Sequence, residues 1–177
     1  MRRFIYTILF YLLALGASFA QSDNVTLNIR LFPIQIIEVN PSQEIIYLDY
    51  ETTADYANGV QLEQPDHLSM YSTGGFIVKV SSVDVNMTAE SGQVIPVSDI
   101  IITPKQGVLN PLIGAAFSPA TLSSEATTII TNNTGGMNKT FGIHYQTKGN
   151  NEYVDKFVDT GNPTVFSTNI VYAIEAR

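Results

Sequence analysis

The stretch His67-Leu-Ser-Met-Tyr-Ser-Thr-Gly-Gly-Phe-Ile-Val-Lys-Val80 decides how the whole chain is read. Two apolar runs flank a pair of glycines, and in the second run Phe76, Val78 and Val80 fall on one face while Lys79 falls on the other. A period of two is the mark of a strand with one buried face. Gly74-Gly75 reads as a tight turn between two such strands, since glycine adopts backbone angles closed to other residues. Lys79 on the outer face keeps the sheet soluble.

The same alternation recurs along the chain. In Asn24-Val-Thr-Leu-Asn-Ile-Arg-Leu31 the side chains of Val25, Leu27, Ile29 and Leu31 face one way, and Asn24, Thr26, Asn28 and Arg30 the other. This is the clearest half-buried strand in the sequence. Phe32-Pro33 interrupts it, because proline cannot donate to a ladder, and a further strand resumes over 34–39. More strands are expected over 44–48, 67–71, 76–81, 85–88, 99–103, 127–131, 140–145 and 164–176. Turn signals such as Asn58-Gly59, Ser91-Gly92 and Asn132-Asn-Thr-Gly-Gly136 separate them. No stretch keeps a helical period for three turns, although one helical turn near 118–125 is compatible with the residues there. The expectation is an all-β fold, a single antiparallel β-sandwich of about seven to ten strands.

Arg2 and Arg3, an apolar run from Phe4 to Leu15, and small residues Ser18 and Ala20 before Gln21 read as a cleaved secretory signal peptide over 1–20. That run is too short to span a bilayer comfortably. Residues 21–177 then form one β-sandwich domain, exported to the periplasm, the cell surface or the medium. Without Arg2 and Arg3 the chain holds seven Lys plus Arg against sixteen Asp plus Glu, a net charge of −9. Such a surface disfavours nucleic acid and anionic membranes. The chain has no cysteine. Disulfides, thiolate metal sites, cysteine nucleophiles and a lipidated cysteine are therefore excluded, and the composition points to a bacterial envelope or extracellular protein.

Residues able to carry chemistry are sparse. His67 and His144 each sit in a strand-like run, with no neighbouring His, Cys or spaced acidic pair to complete a ligand set. No Gly-x-Ser-x-Gly motif is present, so hydrolase activity is open only to a triad assembled in space. The expectation is a protein that is not an enzyme and uses no cofactor and no metal. Two acidic loops, one with Asp49, Glu51 and Asp55 and one with Asp155, Asp159 and Asn162, hold oxygen ligands of the kind calcium takes, but their spacing matches no calcium-binding loop and solvated charges account for them. Tyr47, Tyr50 and Tyr56 surround the first loop. Together with Asp49, Glu51 and Asp55 they make a candidate ligand loop, since tyrosine rings stack on sugars, though tryptophan, the best ring for it, is absent. Glycosylation sequons at Asn24, Asn86, Asn132 and Asn138 are explained by chance in a chain rich in Asn and Thr.

The two ends of the exported chain carry the functional expectations. The last strand, with Phe166, Ile170, Tyr172 and Ile174 on one face, must be paired, since an open edge leaves its backbone groups unsatisfied. The first strand, with Val25, Leu27, Ile29 and Leu31, either joins its own sheet or inserts into a neighbouring subunit, where main-chain pairing and alternate side-chain pockets hold it.

The 67–80 stretch, the opening Val-Thr-Leu-Asn-Ile-Arg-Leu, the strand entry Asn138-Lys-Thr-Phe141 and the ending Val171-Tyr-Ala-Ile-Glu-Ala176 resemble a group of small exported β-sandwich proteins of Bacteroidetes-type Gram-negative bacteria. The layout is also similar to pilin-like and surface-adhesion domains, with an immunoglobulin-like sandwich. The resemblance implies a fold and a compartment and transfers no activity. Two readings of function follow: a structural or adhesive surface subunit that self-assembles or binds protein partners through its N-terminal strand, or a glycan- or peptidoglycan-binding module using the 47–56 loop.

Overall fold

The computed structural model describes residues 21–158 and 161–177; the expected signal peptide and Asp159 lie outside them. Two compact units partition the chain, one ending at Leu31 and one running from Phe32 to Arg177. The larger unit is an antiparallel β-sandwich, as the alternation implies.

Its strands are β1 (Gln35–Val39), β2 (Gln61–Ser72), β3 (Phe76–Ser82), β4 (Asn86–Thr88), β5 (Val94–Pro96), β6 (Ile101–Gln106), β7 (Ala116–Phe117), β8 (Ala120–Thr121), β9 (Thr127–Asn132), β10 (Gly136–Gln146) and β11 (Ile170–Ala176). One sheet has the order β1-β2-β10-β6-β8, the other β11-β3-β9-β7, and β4 pairs with β5 in a small hairpin. Inward side chains of the two large sheets form one core: Leu68, Met70, Ile102, Phe141, Ile143 and Tyr145 from the first meet Phe76, Val78, Val80, Ile129 and Ile130 from the second. Phe141 stands between Phe76 and Phe117 in tilted and edge contacts, the geometry that ring quadrupoles favour.

The Gly74-Gly75 turn joins β2 to β3, which lie in different sheets, so it is an arch over the end of the core and not a hairpin. Neither glycine adopts a positive φ. Close approach is what requires glycine at Gly75, where a Cβ would sit 3.0 Å from the Asn133 carbonyl oxygen. The Asn132-to-Gly136 turn crosses between the sheets in the same way at the same end, from β9 to β10, and a Cβ on Gly135 would fall 2.1 Å from the Ser72 carbonyl oxygen.

Four expectations of secondary structure are corrected. Residues 24–31 take no place in any ladder. Residues 44–48 likewise join no ladder: Glu44, at φ −69° and ψ −24°, closes a 3-10 turn over Pro41–Gln43 and a bend follows. Residues 53–58, read as part of a polar loop, form the one α-helix among the described residues, α1 (Thr53–Asn58): Thr52 caps its N-terminus, Asp55 completes the capping box, and Gly59 closes it at φ 80°. The 118–125 region holds β8 and no helical turn.

Candidate functional site

Strand geometry leaves one flank of the sandwich unfinished. β11 pairs with β3 on one side, and its other edge has no partner among the described residues; β1, the outermost strand of the facing sheet, approaches β11 on that same flank. The last strand is thus paired as its sequence requires, but on one side only. Burial records the gap. One strand in from the edge, Phe76, Val78 and Val80 on β3 are at most 2% exposed, whereas the inward Ile170, Tyr172 and Ile174 of β11 are only half-buried. The inward Ile37 and Val39 of β1 are half-buried as well. A side chain aimed at a core yet partly wet marks a place where a covering element is missing.

The unpaired stretch after β1 adds to this picture. Ile46 and Leu48 pack on the core while Ile45 and Tyr47 point to solvent, so residues 45–48 keep strand-like alternation without a ladder. Among the described residues, no ladder engages residues 45–48 or the outer edge of β11, the arrangement that strand addition requires.

The smaller unit, described by itself, supplies a row of matching character. Val25, Leu27, Ile29 and Leu31 are 80–92% exposed, and residues 21–31 form neither helix nor strand. Single exposed apolar residues are ordinary, but four in strict alternation are a strand face without a core. The reading in which this stretch is half-buried in its own sheet is not what the structure holds.

The tyrosine loop has a different use. The Tyr50 hydroxyl lies 2.5 Å from both Thr147 Oγ1 and the Lys148 carbonyl oxygen, and its ring meets Tyr56 and Tyr153 edge-on at 5.3 and 5.1 Å between centroids. Asp55 Oδ2 accepts from the Thr52 amide at 2.7 Å, the Thr52 hydroxyl at 2.8 Å and the Glu51 amide at 3.1 Å, and the Thr52 hydroxyl holds this carboxyl below its usual range. Tyr50, Asp55 and Tyr56 therefore brace the 50–60 segment internally, leaving Tyr47, Asp49 and Glu51 on the surface. Beneath them buried Asp99 pairs with Lys148 at 2.7 Å and accepts from the Tyr153 hydroxyl at 3.2 Å.

Neither histidine sits in a ligand set. His67 is buried between Gln43 and Tyr145, and His144 lies 3.2 Å from Glu63, which also pairs with Lys105. Among the described residues, no group of three or more His, Cys, Asp or Glu is placed to hold a metal ion. No helix among them is long and apolar enough to cross a membrane.

Sequence reasoning singled out the strand that could be donated and missed the edge that could receive it. Which side of β11 is open follows from topology alone. No protein-family model matches the chain, and no curated protein matches it.

Proposed function

We propose that the protein is a non-catalytic, exported structural subunit that self-assembles by strand addition: residues 24–31 of one copy lie along the open edge of β11 in the next. The observation that carries this reading is the coexistence of an alternating apolar segment without a core and a sandwich flank without a covering strand. Their lengths agree. Eight residues extend roughly 26 Å and the seven of β11 roughly 23 Å at about 3.3 Å per residue. Pairing satisfies the free edge of β11, and every second side chain of the segment covers the half-buried Ile170, Tyr172 and Ile174.

A hairpin return along β1 of the same molecule is disfavoured by the connection. Ile34 is already fixed beside β2, donating from its amide to Thr73 Oγ1 and accepting from the Thr73 amide. Only Phe32-Pro33 separates it from Leu31, so a return along β1 would need a two-residue hairpin turn. The tight hairpin turns require positive φ at their first central residue, while proline pushes the residue before it to extended angles. Phe32 is poorly suited to both demands, which counts against a hairpin with β1.

Light scattering of the 21–177 chain over a concentration series, with negative-stain microscopy, tests the reading. Wild type is expected to form concentration-dependent ladders or filaments. Leu27→Arg with Ile29→Arg is expected to stay monomeric with unchanged circular dichroism and melting, since these side chains touch no core. A wild type that is monomeric throughout, or a double variant that assembles like wild type, overturns it.

A further inference from the structure

We infer that acid releases the last strand: the hydrogen-bonded chain running from Gln43 through His67 and Tyr145 to Tyr172 is a clasp that holds β11 to the facing sheet, and a proton on His67 opens it at Tyr172. β11 is the strand whose open edge the reading above uses, but the clasp is a property of one molecule and does not depend on assembly.

The clasp ties the two sheets together at one point. Tyr145 lies on β10 and Tyr172 on β11, and the 2.7 Å bond between their hydroxyls is, among the described residues, the one side-chain hydrogen bond joining strands of the two large sheets. Behind it His67 on β2 is 2% exposed, with Nδ1 2.9 Å from Gln43 Oε1 and Nε2 2.9 Å from the Tyr145 hydroxyl. The tyrosine rings meet the imidazole edge-on, at 5.7 Å between centroids for Tyr145 and 5.9 Å for Tyr172. Tyr172 is half-buried where Tyr145 is 2% exposed, so of the two hydroxyls it is the one with a way out to water.

The chain already holds as many protons as it can place. Gln43 Nε2 donates to the Pro65 carbonyl, which leaves Oε1 to accept from His67 Nδ1; Nε2 of His67 then accepts from Tyr145, and Tyr145 accepts from Tyr172. A proton on Nε2 sets two donors face to face. Tyr145 must then accept from His67 and give its own proton to Tyr172, whose hydroxyl hydrogen is left with no acceptor among the described residues. A buried donor without a partner is costly, and water supplies one if Tyr172 turns outward with its strand. The Gln43 end is undisturbed, since Nδ1 donates in either state. β11 is also the element able to yield, being laddered to β3 alone, whereas β2 and β10 are paired on both sides.

The titratable groups facing His67 are Tyr145 from β10 and Tyr172 from β11, and no charged group faces it among the described residues. The neighbouring carboxylate of Asp66 is turned to the Val108 and Leu109 amides, and the one carboxylate on β11, Glu175, pairs with Lys79 of β3 at 2.7 Å. Burial alone pushes the closed His67 down to about 4, while an opened one takes a proton near pH 6.5, so opening gains steadily as pH falls between these values.

Hydrogen exchange read by mass spectrometry at pH 7 and pH 4.5, corrected for the intrinsic effect of pH on exchange, tests the clasp. The sample is the 21–177 chain with Leu27→Arg and Ile29→Arg, in which no added strand covers β11. Protection over 170–176 is expected to fall with acid at least about 10-fold more than protection over β10, and His67→Gln is expected to abolish that difference. An equal fall in both strands, or no fall in β11, overturns the clasp. So does a β11 that keeps its acid sensitivity in His67→Gln, which would assign the effect to the Glu175 pair. A second reading needs no substitution at His67: at pH 4.5, exchange over 170–176 is expected to be nearly insensitive to low urea, as a local release is. A urea dependence as steep as that of β10 would mean that the sandwich opens as a whole, and overturns the inference.

Discussion

At the scale of single residues, the buried polar chain across the core sets how the protein responds to acid. Gln43 donates from Nε2 to the Pro65 carbonyl, which turns its Oε1 to His67 Nδ1 at 2.9 Å. His67 Nδ1 therefore carries the proton, Nε2 accepts from the Tyr145 hydroxyl at 2.9 Å, and Tyr145 accepts from Tyr172 at 2.7 Å. Each hydroxyl has one proton and one defined recipient, so a proton added at His67 Nε2 would reverse the order of the chain. Burial pushes His67 down to about 4, and it raises the Tyr145 hydroxyl to about 12 and that of Tyr172 higher still. The unfolded histidine takes a proton near pH 6.5 while the folded one does not, so stability falls as pH drops from about 6.5 and the loss levels off below about 4. On the order of 2 kcal/mol is involved after allowance for solvent screening. Urea titrations at pH 7 and pH 4.5 should show a lower midpoint at the acid value in wild type and a clearly smaller difference in His67→Gln; an equal difference in both would assign the acid sensitivity to the carboxylates. None of this network is legible in the sequence. His67 and Tyr145 are 78 positions apart and meet through the β2–β10 ladder, and Tyr172 arrives from the opposite sheet.

At the scale of elements, strands with an apolar face and β-branched residues announce themselves, and those held by tertiary context do not. The expected 76–81 and 127–131 are β3 and β9 to within a residue, because Phe76-Ile-Val-Lys-Val80 and Thr127-Thr-Ile-Ile-Thr131 combine alternation or apolar runs with strong strand formers. The two-residue strands β7 and β8 carry too few residues for any period to show. Residues 24–31 and 44–48 have the pattern of strands and lack the neighbour, since periodicity reports a face suited to burial and says nothing of what buries it. Helix α1 was legible in principle from Thr52-x-x-Asp55 and Gly59, but tyrosines and carboxylates in the same loop invited a ligand reading. The loop's structural use can be measured. Tyr50→Ala removes two ring contacts and the hydroxyl's partners on the 147–148 segment, and should cost about 2–3 kcal/mol in urea unfolding. Tyr47→Ala, at an exposed position, should stay within about 0.5 kcal/mol. The reverse order would show that the brace does not hold the loop.

At the scale of the whole molecule, the charge of the 21–177 chain opposes the proposed assembly. Seven cationic against sixteen acidic side chains give each 21–177 copy a charge of −9 with no long run of either sign, so approaching copies repel over their whole surfaces. The proposed contacts are apolar and main-chain in character and do not draw on opposite charge. Salt should then act on the repulsion alone. Raising ionic strength from roughly 0.05 M to roughly 0.5 M shortens the screening length severalfold, while apolar burial is little weakened by it. The assembly midpoint, followed by light scattering, should therefore move to lower protein concentration as sodium chloride is added. A midpoint that rises with salt would mean that ion pairs hold the copies together, and the exposed row at residues 24–31 would need another occupant. The direction of this one shift separates association driven by apolar strand contacts from association driven by charge, whatever form the assembled material takes in the microscope.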